Sequence, residues 1–285
     1  MSTTMENPPA HDVESASIAA AVGQEMFAER RRRERRALAL TWTLRVVALV
    51  VFVGLWAMAS NNAWIDPLLI SHPKDVVVAA FNEVQDSTFW TDALSTFSGA
   101  MVGLAVGSVL GIFVGVVFTH VPVLERASGP FLTLFNSLPR PALAPIFILW
   151  FGLGFTPKAL VAASVVFFLL LTATSGALRG IDHDVNMLGR SLSLTPWQRF
   201  RKIELPSALP TIIGALRLGA VYSVLGAVLA EMVGAYSGLG QRLVVMTNNF
   251  QVAESFAVLL AMGFMAMSLD FAISKLERVV RNRSK

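Results

Sequence analysis

Long apolar runs without charge are the feature that most constrains how this chain folds. A transmembrane helix needs about 20 apolar residues, and runs of that length recur along the 285 residues. Only 15% of the residues are charged and 54% are hydrophobic, whereas soluble domains carry about 25% charged residues. So few charges cannot cover a water-facing surface of this size. The sequence therefore predicts an all-α integral membrane protein.

The apolar runs predict about six transmembrane helices. The first run ends in Ala57-Met58-Ala59, which also resembles a signal-peptidase site, but its length favours a retained anchor over a cleaved signal. The predicted spans are Leu38–Ala59, Leu94–Phe118, Phe131–Phe151, Ala159–Leu178, Thr211–Val233 and Val252–Ile273.

Positive charges divide unevenly between the loops. The arginines from Arg30 to Arg36 directly precede the first span and fit a topogenic signal better than a nucleic-acid patch, so we expect no nucleic-acid partner. Most of the 23 Lys and Arg residues lie on the same side as this run if the spans alternate. The opposite loops hold Lys74, Lys158 and Arg242. The positive-inside rule therefore predicts a multi-pass inner-membrane protein with both termini in the cytoplasm.

The second span carries a glycine at every fourth residue. These glycines form one stripe without side chains on a helix, with a slow drift around the axis. The stripe favours close packing against a neighbouring helix, and the alternative is a pore lining. The stripe consists of Gly99, Gly103, Gly107, Gly111 and Gly115.

Three ionisable residues and a proline cluster stand out inside the spans. Pro139, Pro141 and Pro145 should kink or break the third span. Arg140 lies between two of them and either caps freed carbonyls or faces a pathway. Arg217 either pairs with another helix or faces a cavity, where two arginines would favour anions. The candidates for a translocation pathway are Pro139, Arg140, Pro141, Arg217 and Glu231.

The loop before the fifth span is charged and contains several prolines. Thr195 and Pro196 fit the N-cap and first position of a helix, and Trp197, Phe200 and Ile203 follow at helical spacing. We expect Pro206 to end this helix. From its residues alone the loop is either a helix-turn-helix that serves a partner or an amphipathic helix lying on the membrane surface.

This loop resembles the EAA loop of ABC-transporter permeases of the binding-protein-dependent importer family, in the branch for sulfonates, taurine and nitrate. The family pattern is E-A-A, three residues, Gly, nine residues and I-x-L-P. Ile203-Glu204-Leu205-Pro206 matches its end, but Met187-Leu188-Gly189 stands at the E-A-A and Ser193 at the glycine. Other segments similar to this branch are Arg190-Ser191-Leu192, residues 148–154 (ILWFGLG), Gly214-Ala215-Leu216-Arg217, Ala230-Glu231-Met232 and Gly238-Leu239-Gly240.

The resemblance implies a type I ABC importer permease-like bundle at residues 61–280, behind a basic cytoplasmic tail at 1–36 and a first transmembrane helix at 37–60, with a short tail at 281–285. Its coupling loop would be residues 179–206. The family implies two cytoplasmic ABC ATPase subunits, a second permease copy, a solute-binding protein and surrounding lipid as partners. The residues expected to couple to the ATPase are Arg190, Leu192, Ser193, Leu194, Thr195, Pro196, Trp197, Phe200, Ile203, Leu205 and Pro206.

The sequence contains no phosphate-binding G-x-x-x-x-G-K-[ST] motif and no cysteine. ATP and Mg²⁺ would therefore be bound by the partner ATPase, and we expect no cofactor, metal site or catalytic residue in this chain. The chain is then a transport subunit rather than an enzyme. An ion-gradient-driven secondary transporter or a channel is the alternative, although the sequence shows neither the repeated halves of the former nor a selectivity-filter motif.

Overall fold

The structure is a computed structural model that describes residues 38–62, 64, 66 and 69–283. The chain divides into two compact units, Met1–Asp66 and Pro67–Lys285. The first unit contributes one described helix, α1 (Leu38–Asn61), whose apolar side chains are mostly exposed. Its 24 residues are long enough to span a membrane.

All regular secondary structure in the described part of the second unit is helical. A 3₁₀ turn at Arg140–Ala142 precedes α5, and a π-helical turn at Phe200–Glu204 joins α8 to α9. The helices are α2 (Pro73–Gln85), α3 (Ser87–His120), α4 (Pro122–Ser137), α5 (Leu143–Phe151), α6 (Phe155–Arg179), α7 (His183–Ser191), α8 (Pro196–Arg199), α9 (Leu205–Val233), α10 (Leu239–Asn248) and α11 (Val252–Arg283).

Five described helices are long and apolar enough to cross a membrane, and one bent pair of helices forms a sixth candidate span. The predicted second, fourth, fifth and sixth spans lie within α3, α6, α9 and α11. The predicted break of the third span is confirmed, because α4 and the segment Arg140–Phe151 meet at 86°. Pro145 does not break α5, since it lies in the first turn, where a helix needs no N–H donor.

The glycine stripe of α3 packs directly against α6, and close packing is the alternative that the structure shows. A Cβ atom added at Gly107 would lie 2.6 Å from the Ala163 carbonyl oxygen, and one added at Gly111 would lie 2.5 Å from that of Phe167. Both distances are shorter than van der Waals contact. The two backbones therefore approach as closely as helices can, which replaces side-chain burial by dispersion contacts between backbones.

The glycine contacts also give the relative direction of α3 and α6. Gly99 contacts Lys158 near the start of α6, and Gly115 contacts Thr174 near its end. The two helices are therefore parallel. The chain between them must therefore return across the bundle. This makes α4 and α5 one broken membrane span, and not a re-entrant loop that enters and leaves the membrane on the same side.

The helix that begins at Pro196 does not end at Pro206, and this prediction was wrong. It continues into α9 as one stretch of 38 residues, Pro196–Val233. In the π-helical turn before the proline, the Leu205 N–H donates to the Phe200 carbonyl five residues earlier. This wider turn accommodates Pro206, which has no N–H and would otherwise interrupt a regular α-helix.

Arg242 on α10 joins the end of α2 to the start of α3. Its guanidinium lies 2.8 Å from Glu83, 2.6 Å from Asp86 and 3.3 Å from Asp92. Hydrogen bonds from Thr88 and Arg242 lower the pKa of Asp86 to about 2. One arginine therefore orders three acidic side chains where α2, α3 and α10 meet.

The stripe predicts opposite effects for two Gly→Ala substitutions. Gly107→Ala should lower the thermal stability of the detergent-solubilised protein, because overpacking costs about 1–3 kcal/mol. Gly263→Ala on the exposed face of α11 has open space around its Cβ position and should be neutral or stabilising, by up to about 1 kcal/mol. Equal melting temperatures for the two variants would contradict the packing.

Candidate functional site

The surface segment between α6 and α9 is built from two short helices and a tight turn. Thr195 caps α8: its hydroxyl accepts the Gln198 N–H at 3.3 Å, and the Gln198 side chain accepts the Thr195 N–H at 3.0 Å. Pro196 occupies the first position of the helix. Both placements confirm the prediction for Thr195 and Pro196. This reciprocal cap satisfies two backbone N–H donors at the start of the helix.

Ser193 occupies the left-handed backbone region, with φ of 51°. Residues with a side chain rarely adopt this conformation, and glycine adopts it without strain. Ser193 is the position at which the resembling family has its turn glycine. The turn from α7 to α8 therefore has the backbone that a glycine would favour, although the side chain here is serine.

Two large apolar side chains of this segment are exposed, Trp197 on α8 and Leu192 in the turn before it. Trp197 is 67% exposed and Leu192 is 62% exposed. The Trp197 ring stacks on Phe200, with centroids 5.8 Å apart. Phe200 in turn meets the edge of His120 on α3, also at 5.8 Å. Trp197 is thus an exposed aromatic side chain that is packed on its inner side against Phe200.

A polar network holds the same segment against the bundle. Glu204 is 7% exposed, and its carboxylate accepts from Arg199 Nε at 2.8 Å and lies 2.9 Å from His120 Nε2. Ile203 packs on Gly189, where an added Cβ would lie 2.8 Å from the Ile203 side chain. The glycine in place of the second alanine of E-A-A therefore lets α7 and the π-helical turn approach each other.

The structure also places Leu194, Leu205 and Pro206 of the predicted loop. Leu194 closes the turn through its N–H, which donates to the Gly189 carbonyl at 3.3 Å. Leu205 and Pro206 belong to the first turn of α9. The side chain of Arg190 lies outside the described residues.

Arg140 lies at the break between α4 and α5, together with Pro139 and Pro141. One guanidinium nitrogen donates to the Asn136 side-chain oxygen at 2.6 Å, and the same nitrogen donates to the Asn136 carbonyl at 3.2 Å. The guanidinium also lies 4.7 Å from the centre of the Phe168 ring. Its other terminal nitrogen has no hydrogen-bond partner among the described residues. Arg140 thus caps a freed carbonyl and keeps one donor free.

Arg217 pairs with α11. Its Nε and Nη2 atoms donate to the two oxygens of Asp270 at 3.0 and 3.1 Å, and its Nη1 atom donates to Glu277 at 3.2 Å. The pairing with another helix is therefore the arrangement that the structure shows. Two carboxylates neutralise this guanidinium, so it leaves little positive charge for a solute.

Glu231 forms a buried ion pair with Lys158. The two residues are 1% and 3% exposed, and Lys158 Nζ lies 2.8 Å from the carboxylate. The Thr96 hydroxyl and the Gly240 N–H also donate to this carboxylate, at 2.8 and 3.0 Å. Four helices thus meet at one carboxylate: α3, α6, α9 and the start of α10.

Gly238 and Gly99 make room for this ion pair. A Cβ atom at Gly238 would overlap the Glu231 carboxylate, and the backbone there has φ of 132°. Gly99, the first glycine of the stripe, accommodates the aliphatic part of Lys158. The Gly238-Leu239-Gly240 motif therefore packs directly against the Ala230-Glu231-Met232 motif.

Two residues of these networks, Lys158 and His120, were not predicted as site residues from the sequence. Lys158 was predicted in a loop but lies inside α6, because α6 begins at Phe155. A lone Glu231 in an apolar span was the signal that a buried cation had to exist. His120 gave no signal of its own, since its partner Glu204 is 84 residues away.

A small cavity of about 150 Å³ lies beside the ion pair, lined by Ser95, Leu153, Gly154, Phe155, Lys158, Tyr236 and Ser237. The Lys158 ammonium already reaches Ser95, Glu231 and the Ser237 carbonyl at 2.6, 2.8 and 3.2 Å. Its three N–H donors are therefore used within the protein. Within the described residues, no group of three or more His, Asp or Glu side chains is placed so that it could hold a metal ion.

Breaking the buried ion pair should destabilise the bundle strongly. Lys158→Met leaves the Glu231 charge buried without its cation, which costs about 3–5 kcal/mol. Adding Glu231→Gln to Lys158→Met should recover part of this loss, because the unpaired charge is then removed. Thermal unfolding in detergent measures both effects, and Lys74→Met, at an exposed position of α2, is the control. A Lys158→Met variant as stable as this control would exclude the ion pair as a structural anchor.

Comparison with known proteins supports a membrane-transport role. The family model described as "Binding-protein-dependent transport system inner membrane component" matches residues 107–285. A riboflavin transport system permease protein from Chloroflexus aurantiacus is 30% identical over 82% of this chain and 87% of its own length. A formylaminopyrimidine transport permease protein from Halalkalibacterium halodurans is also 30% identical, over 85% of this chain and 95% of its own length.

More distant similarities agree in fold. The taurine transport system permease protein of Escherichia coli is 26% identical over 76% of this chain and 80% of its own length. An inward-facing structure of a methionine ABC transporter aligns with a TM-score of 0.60 and 22% identity, and it covers 67% of this chain and 94% of the solved chain. The bundle of α2–α11 is therefore the fold of an ABC importer permease.

Proposed function

Because the chain belongs to the family of binding-protein-dependent transport system inner membrane components, we propose that it is the transmembrane permease subunit of an ATP-driven ABC importer. A solute-binding protein would deliver a small solute to one side of the bundle. Two cytoplasmic ABC ATPase subunits would bind on the other side and hold ATP and Mg²⁺. A second copy of this chain would complete the pathway.

The observation that carries this proposal is the exposed side chain of Trp197, which stacks on Phe200. Interfaces between proteins depend on a few large aromatic anchors that enter pockets of the partner. Trp197 stands out from α8, and its neighbour Phe200 is fixed by His120. Because α8 continues through the π-helical turn into α9, a force on Trp197 reaches a membrane helix within two turns.

Exposed basic residues flank this anchor. Arg201 and Lys202 are both exposed on the π-helical turn. Charges at the rim of an interface steer association and contribute less to affinity than the anchor does. We therefore propose that the ATPase surface around the Trp197 pocket is acidic.

The proposed orientation places α7 and α8 in the cytoplasm. The end of α3, the start of α9 and the basic residues around them then face inward, as the positive-inside rule requires. Arg242 and its three acidic partners face outward, where the solute-binding protein would dock. Both termini are cytoplasmic in this arrangement.

Removing the Trp197 ring should separate the permease from its ATPase. Trp197→Ala should reduce recovery of the ATPase with the detergent-purified permease at least about tenfold, as expected for a hot-spot aromatic worth about 2 kcal/mol or more. Trp90→Ala, at the opposite end of α3 and 56% exposed, is the matched control. Retention of the ATPase by Trp197→Ala would contradict the proposed docking site.

Transport by the reconstituted complex distinguishes an importer from a secondary carrier or a channel. An importer needs ATP, its ATPase and its binding protein, and an ion gradient alone does not drive it. Uptake into proteoliposomes by this chain alone under a proton or sodium gradient would contradict the proposal.

The solute is proposed to be small, with an anion such as a sulfonate or nitrate as the candidate. The names of the relatives already span riboflavin, formylaminopyrimidine and taurine, so family membership leaves the substrate open. Arg140 supports an anion because it places a guanidinium at the break of a span, with one buried nitrogen that has no hydrogen-bond partner among the described residues. Arg217 gives less support, since Asp270 and Glu277 neutralise it.

Two arginine substitutions test this preference. Arg140→Ala should reduce ATP-driven uptake of an anionic solute about tenfold or more, because a charge-assisted hydrogen bond is worth about 1.5–3 kcal/mol. Arg217→Ala should instead lower thermal stability and leave the relative uptake of anionic and neutral solutes unchanged. Unchanged anion uptake in Arg140→Ala would refute the role proposed for this residue.

A further inference from the structure

We propose that His120 is a positioning residue that transmits movement of the coupling segment, defined as residues 195–204, to α3. This inference rests on the proposed function, because it assumes that an ATPase moves the segment. It adds a route that the chain connectivity does not supply. The segment is covalently continuous with α9, whereas α3 is tied to it only across space.

The polar side of the His120 contact fixes the imidazole at both nitrogens. Nδ1 lies 2.9 Å from the Val116 carbonyl on α3, and Nε2 lies 2.9 Å from the Glu204 carboxylate. Each ring nitrogen thus lies at hydrogen-bond distance from an oxygen atom, one on α3 and one on the coupling segment. The ring therefore bridges α3 and the coupling segment instead of lying loosely between them.

Glu204 is fixed in turn within the segment. Its second carboxylate oxygen accepts from Arg199 Nε at 2.8 Å, and Arg199 is the last residue of α8. Buried charge that is fully hydrogen-bonded is rigid, because any displacement leaves a group unpaired. A shift of α8 must therefore carry Glu204 and the His120 ring with it.

Aromatic contacts accompany these hydrogen bonds between the coupling segment and α3. The Phe200 ring meets the edge of His120 and stacks on Trp197, with both centroid distances at 5.8 Å. The proposed ATPase anchor and the end of α3 are thus separated by a single aromatic ring. A push on Trp197 towards the bundle would be transmitted to His120 through the contacts of the Phe200 ring. A pull away from the bundle would be transmitted through the hydrogen bond between Glu204 and His120.

The covalent route to α9 passes through an irregular turn of the backbone. Between α8 and α9 lies the π-helical turn Phe200–Glu204, a form that occurs frequently at functional sites. α3, by contrast, is packed along its whole glycine stripe against α6. Through His120 the coupling segment therefore reaches the most tightly packed pair of helices in the described bundle.

Two conservative substitutions distinguish the hydrogen-bonding role of His120 from the packing of its ring. In His120→Gln the amide nitrogen reaches the position of Nε2 and can still donate to Glu204. In His120→Asn the amide nitrogen reaches only the position of Nδ1 and leaves Glu204 without its donor. Both side chains are polar and smaller than histidine, so a loss of ring packing affects them alike.

The chain has no cysteine, which permits a single spin label at a chosen helix. Leu110→Cys on α3 and Leu225→Cys on α9 are both 49% exposed. Distances between the labels of the two permease copies are measured in the nanodisc complex with its ATPase, before and after addition of a non-hydrolysable ATP analogue. We expect the wild-type background to show a nucleotide-dependent change at both positions.

In the His120→Asn background the ratio of shifted to unshifted distance populations at Leu110→Cys should fall about fivefold, as expected for one lost hydrogen bond, while the change at Leu225→Cys persists. His120→Gln should restore the response of α3. Glu204→Met removes the acceptor instead, should act like His120→Asn, and provides the same test if that variant does not assemble.

A full response of α3 in both His120→Asn and Glu204→Met would overturn the inference. Equal loss in His120→Gln and His120→Asn would also overturn it, because the role would then be packing of the ring. If the wild-type complex gives no change at either label and retains no ATPase, the proposed function fails and the inference with it. Loss of the α3 response together with a normal α9 response supports the inference.

Discussion

The contact between the glycine stripe of α3 and the backbone of α6 is the constraint on which the rest of the bundle depends. It holds two parallel helices too close for any side chain to separate them. Parallel neighbours require the intervening chain to cross back, and α4 and α5 do so with a break of 86°. The break exposes polar backbone, and Arg140 covers one of the freed carbonyls. The close parallel packing thus requires a returning span between α3 and α6, and the prolines Pro139 and Pro141 make that span a broken one.

Features that depend on neighbouring residues could be predicted from the sequence. The glycine period, the cap by Thr195 and Pro196 and the break at Pro139 and Pro141 are all local, because each is decided within one or two helical turns. Family resemblance added the position of the turn residue, and the left-handed backbone of Ser193 agrees with it. The end of the coupling helix at Pro206 was also predicted from a local rule, and it failed because a π-helical turn accommodates the ring.

Partners that are distant in sequence could not be predicted. Glu231 in an apolar span requires a counter-charge, but nothing local selects Lys158, 73 residues away, over other cations. The choice follows from the antiparallel packing of α6 and α9, in which Gly226 contacts Ala162 and Gly219 contacts Val166, so that the start of α6 lies beside the end of α9. His120 and Glu204 meet for a similar reason, since the last residue of α3 lies beside the last residue of the coupling segment. Tertiary geometry, and not the residue types, identifies these pairs.

The two polar networks lie at opposite ends of the α3–α6 pair, and the glycine contacts lie between them. At one end Thr96 and Lys158 bind the carboxylate of Glu231, and at the other end His120 binds that of Glu204. Hydrogen bonds are directional and fix position, whereas contacts between smooth backbones resist separation more than sliding. The Glu231 network joins α3 to α6 and α9, whereas the His120 bond joins α3 to the coupling segment. Under the proposed coupling, we expect movement delivered at the His120 end to reach the Glu231 end through α3, beside Gly238 at the start of α10.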